Sequence, residues 1–195
     1  MIMKKLVLSL FVGVITLMPS TTNAQAFEQG KSQISIGYGF ANTTQSLLSN
    51  YDQTSYPNLE FSALGPLFLK YEFGASEKIG FGLNVAYAGA GITYDDGTGT
   101  GRASLDWWGI SYNARVNRHF GSHDKFDPYI GVGMGYKMAK WTASADDESE
   151  DMGALIPLGF ETTFGARYMF TPNIGLYTEV GLAKAIAQFG INAKF

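Results

Sequence analysis

The nine C-terminal residues, 187–195, alternate strictly between two kinds of side chain. The apolar positions are Phe189, Ile191, Ala193 and Phe195, and the small or polar positions are Gln188, Gly190, Asn192 and Lys194. Because successive side chains of a strand point to opposite faces, this stretch predicts a strand with one apolar face and one polar face. Such a strand needs partners of the same kind, since isolated strand pairs are only marginally stable in water.

Seven stretches farther upstream show the same alternation and predict seven more strands. Their apolar faces begin at Ile34, Phe61, Ile79, Trp108, Ile130, Ile156 and Ile174. Polar stretches predict long loops at Ala41–Asn58, Tyr94–Arg102 and Thr142–Gly153, whereas Gly74–Lys78 and Thr171–Asn173 predict tight turns. The stretch Arg118–Asp127 predicts a polar turn that contains both histidines, His119 and His123.

The composition of the polar faces indicates which way the strands face. Periodicity alone fits a soluble sandwich or lipocalin-like barrel as well as a membrane barrel, because alternation looks the same from either side. A polar face in water should be rich in charged residues, yet only 16% of the chain is charged and it contains 24 glycines. Small residues suit the crowded interior of an eight-stranded barrel. The pattern therefore predicts an all-β fold, an eight-stranded antiparallel up-and-down transmembrane β-barrel.

The N-terminal residues predict export rather than fold. Lys4 and Lys5 precede the uncharged apolar run Leu6–Met18, which is too short for a spanning helix and typical of a secretory signal peptide. We expect a signal peptide over residues 1–24, with cleavage after Ala26 as the alternative, and a barrel domain over residues 27–195. The chain has no cysteine, so a lipid-anchored N-terminus, a disulfide framework and a thiolate site are excluded.

The terminal strand ending on an aromatic residue resembles the C-terminal signature of bacterial outer-membrane β-barrels. From Gln33 to Phe195 the pattern is similar to the small eight-stranded barrels of the OmpX, OmpA-barrel and opacity-protein type. This resemblance implies an integral outer-membrane location, with outer-membrane lipid and lipopolysaccharide as partners. It also implies that Phe189, Ile191 and Phe195 form the signal that the barrel assembly machinery reads.

The polar faces also carry charged residues of both signs, which we expect to point into the barrel. They are Glu60, Lys70, Glu72, Arg115, Lys137, Glu161, Arg167, Glu179 and Lys194. One interpretation is the charged lumen of a narrow pore. The other is a network of ion pairs that fills the lumen, because unpaired charges away from water are costly. The near balance of the two signs favours the network.

Other kinds of site receive little support. The net charge of −3 gives no basic surface for nucleic acid. The acidic run 146–151 lacks the spaced ligands of a calcium loop and predicts a solvated outer loop. Enzymatic barrels carry their catalytic groups at the outward end, whereas His119 and His123 are expected at the opposite end, so a triad is disfavoured. We expect no catalysis, no metal and no cofactor.

The predicted role is a structural or surface-display scaffold whose outer loops serve adhesion or envelope interaction. Aromatic side chains near the loop bases are candidate contact residues for a surface ligand, namely Tyr51, Tyr56, Tyr94, Trp107 and Trp141. The alternative is a narrow porin that passes small solutes or ions through the charged lumen.

Overall fold

The computed structural model describes residues 25–42, 58–95, 102–120, 123–145, 148–153 and 157–195. Within these ranges, no helix is long and apolar enough to cross a membrane. The strands are β1 Ser32–Asn42, β2 Glu60–Gly74, β3 Ile79–Asp95, β4 Arg102–His119, β5 Phe126–Ala145, β6 Glu148–Gly153, β7 Leu158–Met169, β8 Ile174–Leu182 and β9 Ala185–Lys194.

All strand pairs are antiparallel, and the sheet closes on itself. Strand β1 pairs with β9, so the two ends of the chain meet at one seam. Strand β4 pairs with β5 from Ala103–Ala145 to His119–Tyr129, which leaves β5 one free edge. Both β6 and β7 pair with that edge, so they share one position in the barrel. The prediction of an eight-stranded antiparallel up-and-down β-barrel is confirmed.

The barrel carries its apolar side chains outside and its polar side chains inside. Met134 and Phe164 on the outer face are 66% and 64% exposed, whereas Glu161 and Glu179 on the inner face are 2% and 1% exposed. This arrangement suits a lipid environment, where a band of outward apolar residues surrounds a polar interior. It excludes the soluble alternative, whose apolar faces would point inward.

The strands on one side of the barrel are much longer than those on the other. Strands β3, β4 and β5 contain 17, 18 and 20 residues, whereas β8 and β9 contain 9 and 10. The shorter length matches the 9–11 residues or so that a tilted strand needs to cross a bilayer. The longer strands therefore project roughly 20 Å beyond it, given the usual rise and tilt. We call the projecting part of β3–β6 the outer wall.

The outer wall corrects the predicted loops. The stretch Thr142–Gly153 was predicted as a loop, but β5 continues to Ala145 and pairs with β6, so Thr142 lies opposite Asp151. Two residues of the second predicted loop also belong to strands: Tyr94 is the next-to-last residue of β3, and Arg102 is the first residue of β4. Residues 43–57, 96–101 and 146–147 of the three predicted loops lie outside the described residues.

The prediction of a polar turn over Arg118–Asp127 is wrong at both of its ends. Arg118 and His119 are the last residues of β4, and Phe126 and Asp127 are the first of β5. His119 points into the barrel and is 1% exposed, whereas His123 remains exposed outside the strands. The connection is thereby shortened to residues 120–125, which suits the short periplasmic turns of outer-membrane barrels.

Candidate functional site

Arg115 is the centre of the ionic network in the lumen. Its Nη2 donates to Glu179 Oε1 at 2.8 Å and to Thr163 Oγ1 at 2.8 Å. Its Nη1 donates to Glu179 Oε2 at 3.0 Å and lies 3.4 Å from Glu161 Oε1. Its Nε donates to Asn117 at 2.6 Å. The paired contacts with Glu179 give this buried ion pair the two-pronged geometry in which arginine binds carboxylates most strongly.

The two carboxylates beside Arg115 have further partners. Lys70 Nζ lies 2.7 Å from Glu179 Oε2, and Tyr129 and Gln188 donate to the same carboxylate at 2.7 and 3.0 Å. Glu161 Oε2 accepts from Asn84 at 2.5 Å and from Asn113 at 3.1 Å. Arg115, Glu161 and Glu179 thus each have several hydrogen bonds or ion pairs, as burial in a barrel requires.

A second ionic cluster lies nearer the periplasmic end. His119 Nδ1 is 2.7 Å from Asp127 Oδ1 and its Nε2 is 2.9 Å from Glu72 Oε1. Arg167 bridges the same two carboxylates, with a short contact to Glu72 and one of 3.3 Å to Asp127. Since both ring nitrogens face carboxylate oxygens, the doubly protonated imidazolium satisfies this geometry, whereas a neutral ring leaves one nitrogen facing an anion.

The two clusters are contiguous and balanced in charge. The Tyr129 ring lies between them, with the Arg115 and Arg167 guanidinium carbons 5.9 and 4.5 Å from its centroid. Within the described residues of the clusters, the cationic side chains are Lys70, Arg115, Arg167 and protonated His119, and the anionic ones are Glu72, Asp127, Glu161 and Glu179. Near-perfect pairing of this kind is typical of a structural network that fills a lumen.

The residues before β1 close the periplasmic end of the lumen. Phe27 is buried and stacks on His119, with ring centroids 3.5 Å apart and planes inclined by 7°. Ala26 is also buried, and its backbone N–H donates to His123 O at 3.1 Å. Lys194 Nζ binds Glu28 at 2.7 Å and the carbonyl of Gln25. A chain cut after Ala26 would lack the contacts that Gln25 and Ala26 make.

Little space remains at the level of the ions. The cavity bordered by Lys70, Glu72, Arg115, Arg167 and Glu179 has a volume of about 10 Å³. This is the space of roughly one water molecule. Over the residues that the structure describes, the ion pairs therefore occlude the lumen and leave no room for a solute to pass without their separation.

A larger cavity of about 320 Å³ lies above the network, at the outer end. Trp107, Ser111, Asn113, Lys137 and Lys184 contribute to its lining, and Glu161 forms part of its floor. Lys184 lies in the connection between β8 and β9, outside the spanning strands. Burial lowers the pKa of Lys184 to about 8, and the positive charge of Lys137 acts in the same direction. Two cations thus face one partly buried space.

Farther out, the inner face of the outer wall is apolar. Leu59, Ala90 and Ile92 are buried together, and Tyr94, Leu105, Trp107 and Trp141 pack against them. The Trp107 and Trp141 rings lie 6.1 Å apart. Both tryptophans were predicted to be contact residues at loop bases, but they are half-buried in this cluster. Tyr51 and Tyr56 lie outside the described residues.

The structure brings together six of the nine charged residues that were predicted to point into the barrel. Lys70, Arg115, Glu161 and Glu179 form the central cluster, and Glu72 and Arg167 belong to the periplasmic one; Lys137 lies apart in the outer cavity. Of the remaining charged residues, Glu60 is exposed beside Arg102 at 3.3 Å and Lys194 binds Glu28. The residues Phe189, Ile191 and Phe195 face outward and are exposed.

Sequence reasoning did not place three residues of the network on the inner face, namely His119, Asp127 and Tyr129. His119 and Asp127 were assigned to a turn because Gly121 and neighbouring polar residues interrupt the alternation. Tyr129 and Asp127 have the parity of the inward face of β5, so the alternation, continued from Gly131 back to Asp127, is the signal that could have found both.

A protein-family model agrees with this architecture. Residues 8–189 match the model of the outer membrane protein beta-barrel domain. The chain is similar to three solved barrels, over 86–88% of its length and 98–100% of theirs. They are the N-terminal β-barrel domain of OprF from Pseudomonas aeruginosa (15% identity, TM-score 0.44), Ail, the attachment invasion locus protein of Yersinia pestis, in complex with the heparin analogue sucrose octasulfate (13%, 0.45), and OprG from Pseudomonas aeruginosa (14%, 0.47).

No curated protein matches the chain by sequence. The family model covers most of the chain, and the closed barrel with its apolar exterior is the architecture that this family has. The chain therefore belongs to the outer membrane protein beta-barrel domain family.

Proposed function

We propose that the protein is a structural scaffold of the outer membrane, whose outer wall makes adhesive or envelope contacts. The observation that carries this proposal is the lumen itself. Balanced ion pairs around Arg115 and His119 fill it, and the cavity at their level holds about 10 Å³. A barrel whose interior is filled by stabilising ion pairs can serve as a rigid support.

The outer wall is the part of the scaffold suited to contact. Strands β3–β5 extend well past the length that spanning requires, and the β5–β6 hairpin continues this extension. The paired strands hold their side chains in fixed positions. Binding to this surface therefore costs less conformational entropy than binding to a loop that must first become ordered. Partners of this surface are expected among lipopolysaccharide and the surfaces of other cells.

The narrow porin remains the second candidate because of the outer cavity. A space of about 320 Å³ lined by Lys137 and Lys184 has the form of a vestibule. Passage from it to the periplasm requires the Arg115–Glu161 and Arg115–Glu179 pairs to separate and the segment with Phe27 to leave the lumen. Separating buried ion pairs is costly, so this geometry supports the scaffold over the porin.

Shortening the wall tests the proposed contact role. Thr142 and Asp151 are cross-strand partners, so residues 143–150 can be replaced by an Asn-Gly turn without changing the register below. We expect cells that display this variant to lose most of their autoaggregation and their binding to immobilised lipopolysaccharide. The heat-shifted gel band of the folded barrel should persist, because the β5–β7 pairing is untouched.

The matched control keeps the length of the hairpin and shuffles the order of residues 143–150. It shows whether the sequence of the tip or only its reach is needed. Undiminished autoaggregation and lipopolysaccharide binding by the shortened variant, at equal surface amounts, would refute a contact role for this hairpin.

A further inference from the structure

We propose that the outer cavity binds a small hydroxylated anion, a sugar that carries a phosphate or carboxylate group. The cavity has a volume of about 320 Å³, which lies at the lower end of small-molecule sites. Its lining combines two cations, an aromatic ring and neutral hydrogen-bonding groups, all from residues that the ionic network below does not use as charges.

The two lysines supply the charge that an anion needs. Within the described residues, neither Lys137 nor Lys184 has a carboxylate oxygen within 4 Å of its ammonium nitrogen. This contrasts with Lys70, Arg115 and Arg167 deeper in the lumen, each of which has acidic partners. Two like charges that share a partly buried space repel each other, so a bound anion would remove an unfavourable interaction as well as add a favourable one.

The floor of the cavity places the anionic group toward the lysines. Glu161 belongs to the lining, but its carboxylate is already occupied by Asn84, Asn113 and Arg115. A second anion close to Glu161 would be repelled, so the phosphate or carboxylate of a ligand should lie on the outer side, between Lys137 and Lys184. The uncharged part of the ligand then occupies the space nearer the floor.

The hydrogen-bonding groups indicate that this uncharged part carries donors. Asn113 is 4% exposed, and its Oδ1 has no hydrogen-bond partner among the described residues. That oxygen lies over Gly159, where a Cβ would overlap it, and both residues line the cavity. Leaving a buried acceptor unpaired costs stability, and a ligand hydroxyl would satisfy it. The Ser111 hydroxyl lines the same space and can donate or accept.

Trp107 completes the site. Lys184 Nζ lies 5.6 Å from the centroid of its ring, so the indole helps to hold this ammonium group over the cavity. The rest of the ring gives a flat apolar surface against which the C–H face of a sugar can pack. The site thus offers ammonium groups, an oxygen that can accept a hydrogen bond and an aromatic surface. Together these groups favour a sugar phosphate or sugar acid over inorganic phosphate or a neutral sugar.

Fluorescence of Trp107 gives a direct assay. The chain has three tryptophans, so Trp108→Phe and Trp141→Phe leave Trp107 as the single reporter. The folded protein in uncharged detergent micelles is titrated with glucose 6-phosphate, gluconate, inorganic phosphate and glucose. We expect saturable changes in Trp107 fluorescence with glucose 6-phosphate and with gluconate. Inorganic phosphate should bind at least about tenfold more weakly, and glucose should cause no change in fluorescence. Inorganic phosphate lacks the hydroxyl contacts and glucose lacks the charge-assisted hydrogen bond, and the loss of either interaction corresponds to about tenfold in affinity or more.

Substitutions separate a site from general attraction to a cation. Lys137→Met and Lys184→Met should each weaken binding of glucose 6-phosphate at least about tenfold, whereas Lys137→Arg and Lys184→Arg should retain most of it. Lys140→Met is the matched control, because Lys140 follows on the same strand with the parity of the opposite face. It removes the same charge and should change binding less than about twofold.

The source of the ligand is distinguished by competition. Displacement of glucose 6-phosphate by micellar lipopolysaccharide, but not by its dephosphorylated form, assigns the site to phosphorylated sugars of the outer leaflet. If neither form of lipopolysaccharide displaces glucose 6-phosphate, the site is assigned to a free sugar phosphate or sugar acid. The proposal is overturned if no anion gives a saturable change, if glucose binds as well as glucose 6-phosphate, or if Lys140→Met weakens binding as much as Lys137→Met.

Discussion

Replacing Arg115 with methionine is expected to lower the free energy of unfolding by about 3–5 kcal/mol. The guanidinium contacts Glu161 and Glu179, so its removal leaves two buried carboxylates that share Lys70 as the remaining cation of the central cluster. Methionine fills much of the same volume and cannot donate to them. The loss should appear as a lower urea midpoint for the refolded barrel in lipid vesicles, followed by tryptophan fluorescence and by heat-shifted mobility on a gel.

Two further variants separate charge from shape. Arg115→Met combined with Glu161→Gln removes one carboxylate along with the cation, so it should recover part of the lost stability. Arg102→Met is the surface control: Arg102 is 54% exposed in its side chain and lies 3.3 Å from Glu60, so its effect should stay within about 1 kcal/mol. A midpoint for Arg115→Met no lower than that for Arg102→Met would mean that the lumen network does not stabilise the barrel.

Replacing Gly190 with alanine is expected to destabilise the barrel by about 3 kcal/mol or more, at the upper end of overpacking effects. Gly190 in β9 pairs with Gly37 in β1 and with Tyr177 in β8, at the seam where the two ends of the chain meet. A Cβ at this position would overlap the backbone oxygen of Ile36 and lie 2.5 Å from Gly37 Cα. Backbone atoms cannot rotate away, so the strands at the seam would have to separate.

The control for this substitution lies in β3. Among the residues that the structure describes, the atoms nearest to an added Cβ at Gly89 would lie at 3.6 and 3.8 Å, which is ordinary van der Waals contact. Gly89→Ala should therefore leave the urea midpoint unchanged or raise it slightly, because alanine reduces the freedom of the unfolded chain. If Gly190→Ala and Gly89→Ala unfold at the same urea concentration, close packing at the seam is not what the glycine provides.

The alternation of the sequence was sufficient to predict the fold and the faces of the strands. Positions such as Ile36 and Leu69 face outward and Lys70 faces inward because the period of a strand is two, whatever lies around it. The small inward residues were equally informative. Gly190 and Gly37 lie beneath Tyr177, so a polar face rich in glycine reflects the crowding inside a narrow barrel.

The ends of the strands were harder to predict for physical reasons. In the outer wall the polarity of the two faces reverses, with Leu105 and Trp107 inward and Asp106 outward, so the alternation changes phase while the pairing continues. Strand β6 is acidic and lacks the β-branched residues that usually mark a strand, yet β5 offers it a complete edge for hydrogen bonding. In β2 one extra residue lies between the pairs Leu64–Gly89 and Leu67–Tyr87, which shifts the parity of the face.

The pairing within the lumen could not be derived from the sequence. The inward charges were predictable from parity, but which of them meet depends on the stagger between strands. Glu72 and Arg167 are 95 positions apart, and Phe27 reaches His119 from a segment without any strand pattern. The outer cavity was missed for the same reason, because Lys137 and Lys184 come together only after β5, β8 and β9 have closed into one barrel.

The central claim is that the lumen is closed, and electrical recording tests it most directly. The mature protein is refolded, its heat-shifted gel band is verified, and single-channel current is measured in a planar bilayer. The ion pairs around Arg115 and His119 predict a folded protein that gives no steady current above the bare bilayer. Reproducible current steps whose ion selectivity changes with Arg115→Met or Glu161→Gln would contradict the scaffold and establish a pore.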